Sequence, residues 1–232
     1  MKVLGIIPAR GGSKGVPRKN IKMLVNKPLL QYTSEVALES NYIDALVLSS
    51  DDDEIIEVAK SLGVEVPFKR PVDLSVDSSP TLPVIQHALA YYKSIGQEFD
   101  AICLLQVTSP FRTVAFLDNA IKKFINVGTD SLVSVKEVPH EYNPHWVFEE
   151  TVDGNLKIAT GETKIISRRQ ELPKAYHRDG SLYITKTSVI LEQNSLYGQS
   201  ISYIESPKEW YVNIDTMEDW EKAEKLQKTL KI

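Results

Sequence analysis

Short apolar runs alternate with amphipathic stretches along most of the chain. Four runs rich in β-branched residues predict strands at residues 3–7, 43–48, 101–105 and 132–135, and three of them are almost continuously apolar. Continuous apolar character is typical of parallel strands that are covered on both faces. Segments with helical periodicity lie among them, at 29–39, 53–61, 81–95, 113–126 and 217–230. The pattern therefore predicts an α/β fold with a doubly wound, mostly parallel, Rossmann-like sheet and right-handed crossovers.

The alternation is interrupted between about residues 139 and 178, where the sequence becomes polar and contains prolines. Two short strands are predicted there, at 146–149 and 156–158, and Asp153-Gly154 between them is a hairpin-turn dipeptide. A strand at 181–184 and the last helix then return to the main pattern. We therefore predict a single domain over 1–232 with an inserted β-hairpin arm at 139–178. A projecting hairpin in a small enzyme often serves oligomerisation, so we expect a dimerisation arm and a homodimer.

Composition narrows the class of protein. The chain has 232 residues, of which 42% are apolar and 25% charged, as is usual for one globular domain with a real core. The single cysteine, Cys103, lies in an apolar run, which excludes an intramolecular disulfide and indicates a buried thiol in a reducing compartment. No apolar stretch approaches the roughly 18 residues of a membrane span, and the N-terminal one is too short for a secretory signal. We expect a cytoplasmic protein without a membrane partner.

Charge is distributed unevenly along the chain. The net charge of −4 argues against a nucleic-acid partner. Seven lysines and arginines precede the first carboxylate, Glu35, and a second basic stretch covers 164–178, whereas 205–224 is acidic. Basic loops facing an acidic terminus suit a small polyanion that is bound together with a metal ion.

The segment after the first predicted strand reads Ile-Pro-Ala-Arg-Gly-Gly-Ser-Lys-Gly-Val-Pro-Arg-Lys-Asn, residues 7–20. A doubly wound sheet places its ligand at this position. The loop fits neither the Walker pattern nor GxGxxG, and a solvated turn is the alternative interpretation. It carries three glycines that let N–H groups turn toward an anion and three bases that can neutralise phosphate: Gly11, Gly12, Gly15, Arg10, Lys14 and Lys19.

This loop resembles the signature of the acylneuraminate cytidylyltransferases, the CMP-sialic acid synthetases. Further segments occur in that family's order and span nearly the whole chain: 70–71 with 77–81, 105–112, 169–173 with 180–184, and 214–216. The resemblance implies an enzyme that joins CMP from CTP to the anomeric hydroxyl of a sialic-acid-like 2-keto-3-deoxy sugar acid and releases pyrophosphate. The sugar would be an N-acylneuraminate or a legionaminic or pseudaminic relative.

By this resemblance, Arg10, Lys14 and Lys19 are catalytic residues that contact the triphosphate together with Gly11 and Gly12. Ribose and cytosine are then held by Asn20, Arg70, Ser79 and Thr81. Arg70 can donate to the O2 and N3 acceptors of cytosine, and a backbone carbonyl of the turn can accept from its N4 amine. The alternative for residues 78–81 is a helix cap alone.

For the sugar acid, the resemblance points to Gln106 and Arg169. Gln106 can hydrogen-bond a hydroxyl or the carboxylate, but as an amide it cannot serve as a general base. Arg169 offers the carboxylate a bidentate fork, with Lys164 and Arg178 as further candidates, whereas Arg168 beside it could be a surface charge. No nucleophilic triad is evident, so the sugar's own hydroxyl is the expected nucleophile.

Asp215 is the predicted ligand of Mg²⁺, with Mn²⁺ as the alternative, and a predicted catalytic residue. Asp215 or Thr216 could also cap the last helix, and both roles could coexist. Many members of the family carry Asp-Ile-Asp-Thr, whereas this chain has Asn213 at the first position. An asparagine carbonyl can ligate Mg²⁺ only weakly or through water, so Asn213 is a weak second ligand.

An acidic run and the four histidines could be taken for metal sites, but the sequence favours structural roles for them. The acidic run at 51–54 follows a strand and starts a helix, which favours complementing the helix N-terminus over binding a metal. The four histidines show no paired zinc spacing.

Two alternative functions stay open: a 3-deoxy-octulosonate cytidylyltransferase, and a CTP-binding module without turnover.

Overall fold

The computed structural model describes residues 1–208 and 211–230. The chain forms two compact units, one made of Met1–Ser134 with Asp179–Ile232 and the other of Val135–Arg178. Among the described residues, no helix is long and apolar enough to cross a membrane.

The strands are β1 (Val3–Pro8), β2 (Met23–Leu24), β3 (Lys27–Pro28), β4 (Ala45–Ser49), β5 (Ala101–Leu104), β6 (Ser131–Glu137), β7 (Phe148–Glu150), β8 (Leu156–Ile158), β9 (Tyr176–Lys186) and β10 (Ile201–Glu205). The α-helices are α1 (Leu29–Leu38), α2 (Asp53–Ser61), α3 (Thr81–Ser94), α4 (Val114–Val127), α5 (Thr187–Glu192) and α6 (Met217–Leu230).

Six strands form the main sheet in the order β10-β6-β9-β5-β1-β4. Strand β1 is parallel to both β4 and β5, whereas β9 runs antiparallel to β5. The prediction of a doubly wound, mostly parallel sheet is confirmed. Because β4, β1 and β5 point the same way, the segments that follow them meet at one edge of the sheet, where such folds bind their ligands.

The core explains why these runs become strands and helices. Val3, Leu4, Ile6 and Ile7 of β1 are all fully buried, as expected for a strand covered on both faces. The amphipathic helices turn one face inward; α4, for example, buries Phe116, Leu117, Ala120, Ile121 and Phe124. Cys103 is fully buried in β5, as its apolar neighbours predicted.

Helix ends lie close to the predicted positions. Asp52 caps α2 by accepting a hydrogen bond from the N–H of Ile55 at 3.0 Å, and Asp53 and Glu54 follow in the first turn. The acidic run therefore complements a helix N-terminus, as predicted. The capping alternative for residues 78–81 is wrong, because α3 begins after Pro80 without a side-chain cap.

Several features were not predicted, among them the two-residue strands β2 and β3. Strand β9 is much longer than the expected 181–184, and neither the short helix α5 nor strand β10 was anticipated. β10 lies at the edge of the sheet and leaves Ile201 and Tyr203 exposed, so it carries no clear apolar alternation toward a core.

The second unit contains the predicted hairpin. β7 pairs antiparallel with β8, with Phe148 opposite Ile158, and Gly154 takes a left-handed φ of 76° in the connecting turn. The unit exposes several large apolar side chains: Tyr142, Phe148, Val152, Leu156 and Ile165. Dimerisation through the arm at 139–178 stays a prediction.

Candidate active site

A cleft of about 310 Å³ opens in the first unit where β1 and β5 end. Basic and glycine residues of the loop after β1 form much of its wall, and Asp215, which precedes α6 in the chain, also lines it. Its lining residues are Pro8, Arg10, Gly12, Ser13, Lys14, Gly15, Lys19, Asn20, Thr108 and Asp215. The structure thus brings together most of the residues predicted to hold the triphosphate.

The loop is closed by a buried side chain. Asn20, which is 7% exposed, donates from Nδ2 to the backbone oxygen of Arg10 at 2.9 Å and so ties the two ends of the loop together. The N–H of Gly11 donates to Asp51 Oδ1 at 3.1 Å. That N–H therefore faces the neighbouring strand end in this structure rather than an anion in the cleft. A Cβ at Gly11 would lie 2.6 Å from Asp52 Oδ2, so the position also needs the absence of a side chain.

Arg18 anchors the loop to helix α2. Its guanidinium binds both carboxylate oxygens of Asp52, at 2.5 and 3.0 Å, and also contacts Glu54. The hydrogen bond to Asp52 raises the pKa of Arg18 further above its usual range, and Arg18 in turn lowers the pKa of Asp52. Since Asp53 pairs with Lys69 at 2.6 Å, the acidic run is engaged in structural contacts.

Arg10 and Lys14 converge on a single carboxylate. Arg10 Nη1 lies 2.7 Å from Asp77 Oδ1, and Lys14 Nζ contacts Asp77 Oδ2. The hydrogen bond from Lys14, with further attraction from both bases, lowers the pKa of Asp77. The two bases are therefore close enough to share one anion. The sequence analysis assigned no role to Asp77, although this residue lies in the segment 77–81 that matches the family.

Lys19 and Gly15 connect the loop to the segment before α6. Lys19 donates from Nζ to the backbone oxygen of Ile214 at 2.7 Å and to Asp215 Oδ1 at 3.2 Å. A Cβ at Gly15 would lie 1.9 Å from the backbone oxygen of Asp215, so only glycine allows this approach. The loop and Asp215 are thus held in direct contact.

The cap of α6 is formed without the carboxylate of Asp215. Thr216 and Asp219 form a reciprocal capping box, in which the N–H of Thr216 donates to Asp219 Oδ2 at 3.0 Å and that of Asp219 donates to Thr216 Oγ1 at 3.2 Å. Asp215 keeps a side chain that is 62% exposed at the cleft. Its Oδ2 accepts a hydrogen bond from Asn213 Nδ2 at 2.6 Å. Asn213 therefore turns its nitrogen, not its oxygen, toward Asp215.

Arg70 is set into the end of β4. It is 5% exposed, and its Nε donates to Ser49 Oγ at 3.0 Å while Nη2 donates to the backbone oxygen of the same residue. Burial lowers the pKa of Arg70 to about 10, so the side chain is charged at neutral pH. In the segment that follows, Ser79 donates to the backbone oxygen of Asp73 at 2.9 Å, and Thr81 starts α3.

Arg112 supports the turn that carries Gln106. This guanidinium is buried and donates from Nε to the backbone oxygen of Ser181 at 2.7 Å, from Nη1 to Thr33 Oγ1 at 3.3 Å, and from Nη2 to the backbone oxygen of Gln106. Burial lowers the pKa of Arg112 to about 10. The sequence analysis assigned no role to Arg112, although it is the last residue of the segment 105–112 that matches the family. That position was the only signal by which the sequence could have pointed to Arg112.

Comparison with known proteins decides the family. A family model described as "Cytidylyltransferase" matches residues 4–231. The chain belongs to the cytidylyltransferase family. The chain is 38% identical over 228 residues to the pseudaminic acid cytidylyltransferase of Campylobacter jejuni, with 98% of this chain and 97% of that one covered. It is 34% identical over 228 residues to the CMP-N,N'-diacetyllegionaminic acid synthase of Legionella pneumophila, with 97% and 96% covered.

Solved structures agree on the fold of this cytidylyltransferase. The structure of CMP:2-keto-3-deoxy-manno-octonic acid synthetase complexed with CTP superposes with a TM-score of 0.72, at 17% identity, and covers 99% of this chain and 100% of that one. At that identity the similarity bears on the fold alone. The resemblance derived from the motifs is confirmed at the level of the family.

One predicted site residue of the cytidylyltransferase lies in the second unit. Arg169 begins a short 3-10 helix, Arg169–Glu171, and is exposed there. Arg168 pairs with Glu171 at 2.6 Å and is 67% exposed, which agrees with its interpretation as a surface charge. Contact of Arg169 with the sugar carboxylate stays a prediction.

Proposed function

We propose that this cytidylyltransferase joins CMP from CTP to the anomeric hydroxyl of a nine-carbon, sialic-acid-like 2-keto-3-deoxy sugar acid and releases pyrophosphate. The observation that carries the proposal is the cleft in which three bases of one loop face Asp215. The substrate class is supported by the two relatives described above, whose names refer to pseudaminic and diacetyllegionaminic acid.

The triphosphate would bind where Arg10 and Lys14 now contact Asp77. These bases already hold one carboxylate between them, and phosphate oxygens are acceptors of the same kind with more charge. Lys19 would add a third positive charge from the opposite end of the loop. Preorganised cations of this kind stabilise the charge that grows on the leaving pyrophosphate.

Arg70 would read the cytosine. Its Nε and Nη2 are bound to Ser49, which leaves Nη1 without a partner among the residues the structure describes. A donor at this place suits the O2 and N3 acceptors of cytosine, whereas uracil carries a donor at N3. We therefore propose that Arg70 favours CTP over UTP, with Ser79 and Thr81 in the adjoining turn and Asn20 beside the ribose.

Asp215 fits the role of a Mg²⁺ ligand, with Mn²⁺ as the alternative. Its carboxylate is exposed at the cleft beside the phosphate-binding bases, and Mg²⁺ is usually held by one or two carboxylates together with substrate phosphates. Asn213 directs its nitrogen to Asp215 and so does not add an oxygen beside it. When bound, the ion would neutralise charge on the phosphate oxygens. Lys19 would orient the Asp215 carboxylate toward that place.

The nucleophile would be the anomeric hydroxyl itself, so the reaction would need no covalent enzyme intermediate. Gln106 would orient the sugar through a hydroxyl or its carboxylate, on a turn whose backbone is held by Arg112. Arg169 would pair with the sugar carboxylate.

A pyrophosphate-release assay tests the proposal. Purified protein is supplied with Mg²⁺, either CTP or UTP, and a panel of N-acetylneuraminic, legionaminic, pseudaminic and 3-deoxy-octulosonic acids. We expect release with CTP and at least one nine-carbon acid. Release only with the eight-carbon acid would favour the octulosonate alternative. CTP binding in calorimetry without release for any acid would favour a module without turnover, and either result would contradict the proposal.

We also propose a homodimer formed through the second unit. The exposed apolar side chains of its hairpin, Phe148 and Leu156 among them, support an interface there. Sedimentation equilibrium of the wild type and of Leu156→Glu tests this, since the variant should shift the population toward monomer. The cytoplasmic location stays a prediction, which fractionation of cells that express the protein tests.

A further inference from the structure

Three polar side-chain atoms lie close to the position that a Cβ would occupy on Gly180. A Cβ placed on this glycine would lie 3.0 Å from Gln106 Oε1, 3.8 Å from Asn213 Oδ1 and 3.9 Å from Ser109 Oγ. Gly180 has a left-handed φ of 83°, a backbone conformation in which a residue with a side chain would be strained. Glycine therefore leaves the Cβ position empty. We call this cluster of four residues the Gly180 cradle. Its residues come from the turn after β5, from β9 and from the segment before α6.

Ser109 has an unusual hydroxyl. The residue is 3% exposed, and its buried Oγ has no hydrogen-bond partner among the described residues. Burying a hydroxyl without a partner destabilises a protein, and native structures contain few such groups. A serine of this kind is explained if its partner becomes available in another state of the protein, and ligand binding beside it would produce such a state.

Asn213 presents an acceptor to the cradle. Its Nδ2 donates to the Asp215 carboxylate at 2.6 Å, and the reverse orientation would place two acceptors against each other. Asn213 Oδ1 is therefore left facing the cradle, together with Gln106 Oε1. Two amide oxygens suit a group that donates a hydrogen bond, such as a hydroxyl or an amide N–H. They do not suit a carboxylate or a phosphate, which only accept.

The cradle is connected to the triphosphate cleft through side chains. Asn213 donates a hydrogen bond to Asp215, and Asp215 pairs at 3.2 Å with Lys19 of the loop after β1, residues 10–20, which we call the phosphate loop. The Asn213–Asp215 hydrogen bond and the Asp215–Lys19 ion pair thus connect the cradle to the cleft.

We propose that the Gly180 cradle binds a hydroxyl or acylamino N–H group of the sugar acid, with Asn213 and Gln106 as acceptors and the Ser109 hydroxyl as a third hydrogen-bonding partner. The proposal rests on the proposed function. It makes Asn213 a residue that positions the sugar rather than a metal ligand.

Ser109→Ala separates this role from a structural one. Removing an unpartnered buried hydroxyl leaves the unfolding midpoint in urea unchanged or higher. The KM for the sugar acid rises about five- to twentyfold, while the Kd for CTP in calorimetry stays at the wild-type value. Ser131→Ala is the matched control, because this serine is also fully buried but donates to the backbone oxygen of Tyr197 at 2.6 Å. It should lower the midpoint and leave the sugar KM unchanged.

Asn213→Ala separates the cradle from a metal role. We expect a raised KM for the sugar acid, with the Mg²⁺ concentration for half-maximal rate changed less than twofold. A raised Mg²⁺ requirement with an unchanged sugar KM would overturn the proposal. So would a lower midpoint for Ser109→Ala with an unchanged sugar KM. Failure of the proposed function is recognised separately, because the wild type itself would then release no pyrophosphate.

Discussion

Gly15→Ala tests whether the contact between the phosphate loop and Asp215 matters for catalysis. The added Cβ would lie 1.9 Å from the backbone oxygen of Asp215, whereas real Cβ atoms essentially never approach closer than 3.0 Å. The loop or the Asp215 segment must therefore move by about 1 Å, since a backbone oxygen cannot rotate away as a flexible side chain can. The same movement would strain the bonds from Lys19 to Ile214 and Asp215.

The expected loss follows from that displacement. Misplacing reacting groups by about 1 Å can lower the rate about 10²-fold, equivalent to about 2.7 kcal/mol of transition-state stabilisation. We therefore expect kcat/KM for CTP to fall by about that factor. The same clash strains the folded state, so the free energy of unfolding should fall by about 1–3 kcal/mol.

Steady-state pyrophosphate release with CTP varied, at saturating sugar acid and Mg²⁺, measures the effect. Gly12→Ala is the matched control, because it adds the same methyl group to the same loop with nothing within 4 Å among the described residues. Gly12 also lines the cleft, so a few-fold loss there would measure contact of the added methyl group with the nucleotide, and Gly15→Ala should lose at least about tenfold more than Gly12→Ala. If Gly15→Ala kept more than a third of the wild-type kcat/KM, or if Gly12→Ala lost as much, the close contact would not be the cause.

Three further predictions concern the scaffold around the site. Arg112→Leu should lower the free energy of unfolding in urea by about 2–4 kcal/mol, because the backbone oxygens of Ser181 and Gln106 lose their buried donor. Cys103 should resist thiol reagents at pH 8 and react only after unfolding, because burial raises its pKa to about 12. Asp52 has a lowered pKa, so its ion pair stabilises the fold above about pH 4 and this contribution is lost as the pH falls. The difference in urea midpoint between wild type and Asp52→Asn should therefore shrink from pH 7 toward pH 3.

The fold was predictable because its signals are local. The buried strand β1 and the helices α2 and α6 lie at or within one residue of their predicted bounds, since apolar periodicity and capping residues mark them directly. β10 escaped prediction because its pairing partner lies far away in the sequence and its own side chains are largely exposed.

The site was predictable only as a list of residues. The glycines and bases of residues 10–20 could be recognised from type and spacing. Their contacts could not, because Asp77 and Asp215 meet the loop across long stretches of sequence. The orientation of Asn213 is a further case: its residue type suggested a weak ligand, whereas its hydrogen bond turns the oxygen toward Gly180.

The bases of the phosphate loop differ in how firmly their carboxylate partners are held. Asp52 binds Arg18 with both oxygens and also caps α2, so an incoming anion that displaced it would uncap a helix. Asp77 and Asp215 are 45% and 62% exposed and cap no helix, and exposed ion pairs contribute little to stability. A triphosphate can therefore replace Asp77 on Arg10 and Lys14 without disturbing the fold, while Arg18 keeps the loop in place. In the proposed function, anchoring and anion binding would thus fall to different bases of one loop, which would let the loop exchange its ligand and keep its shape.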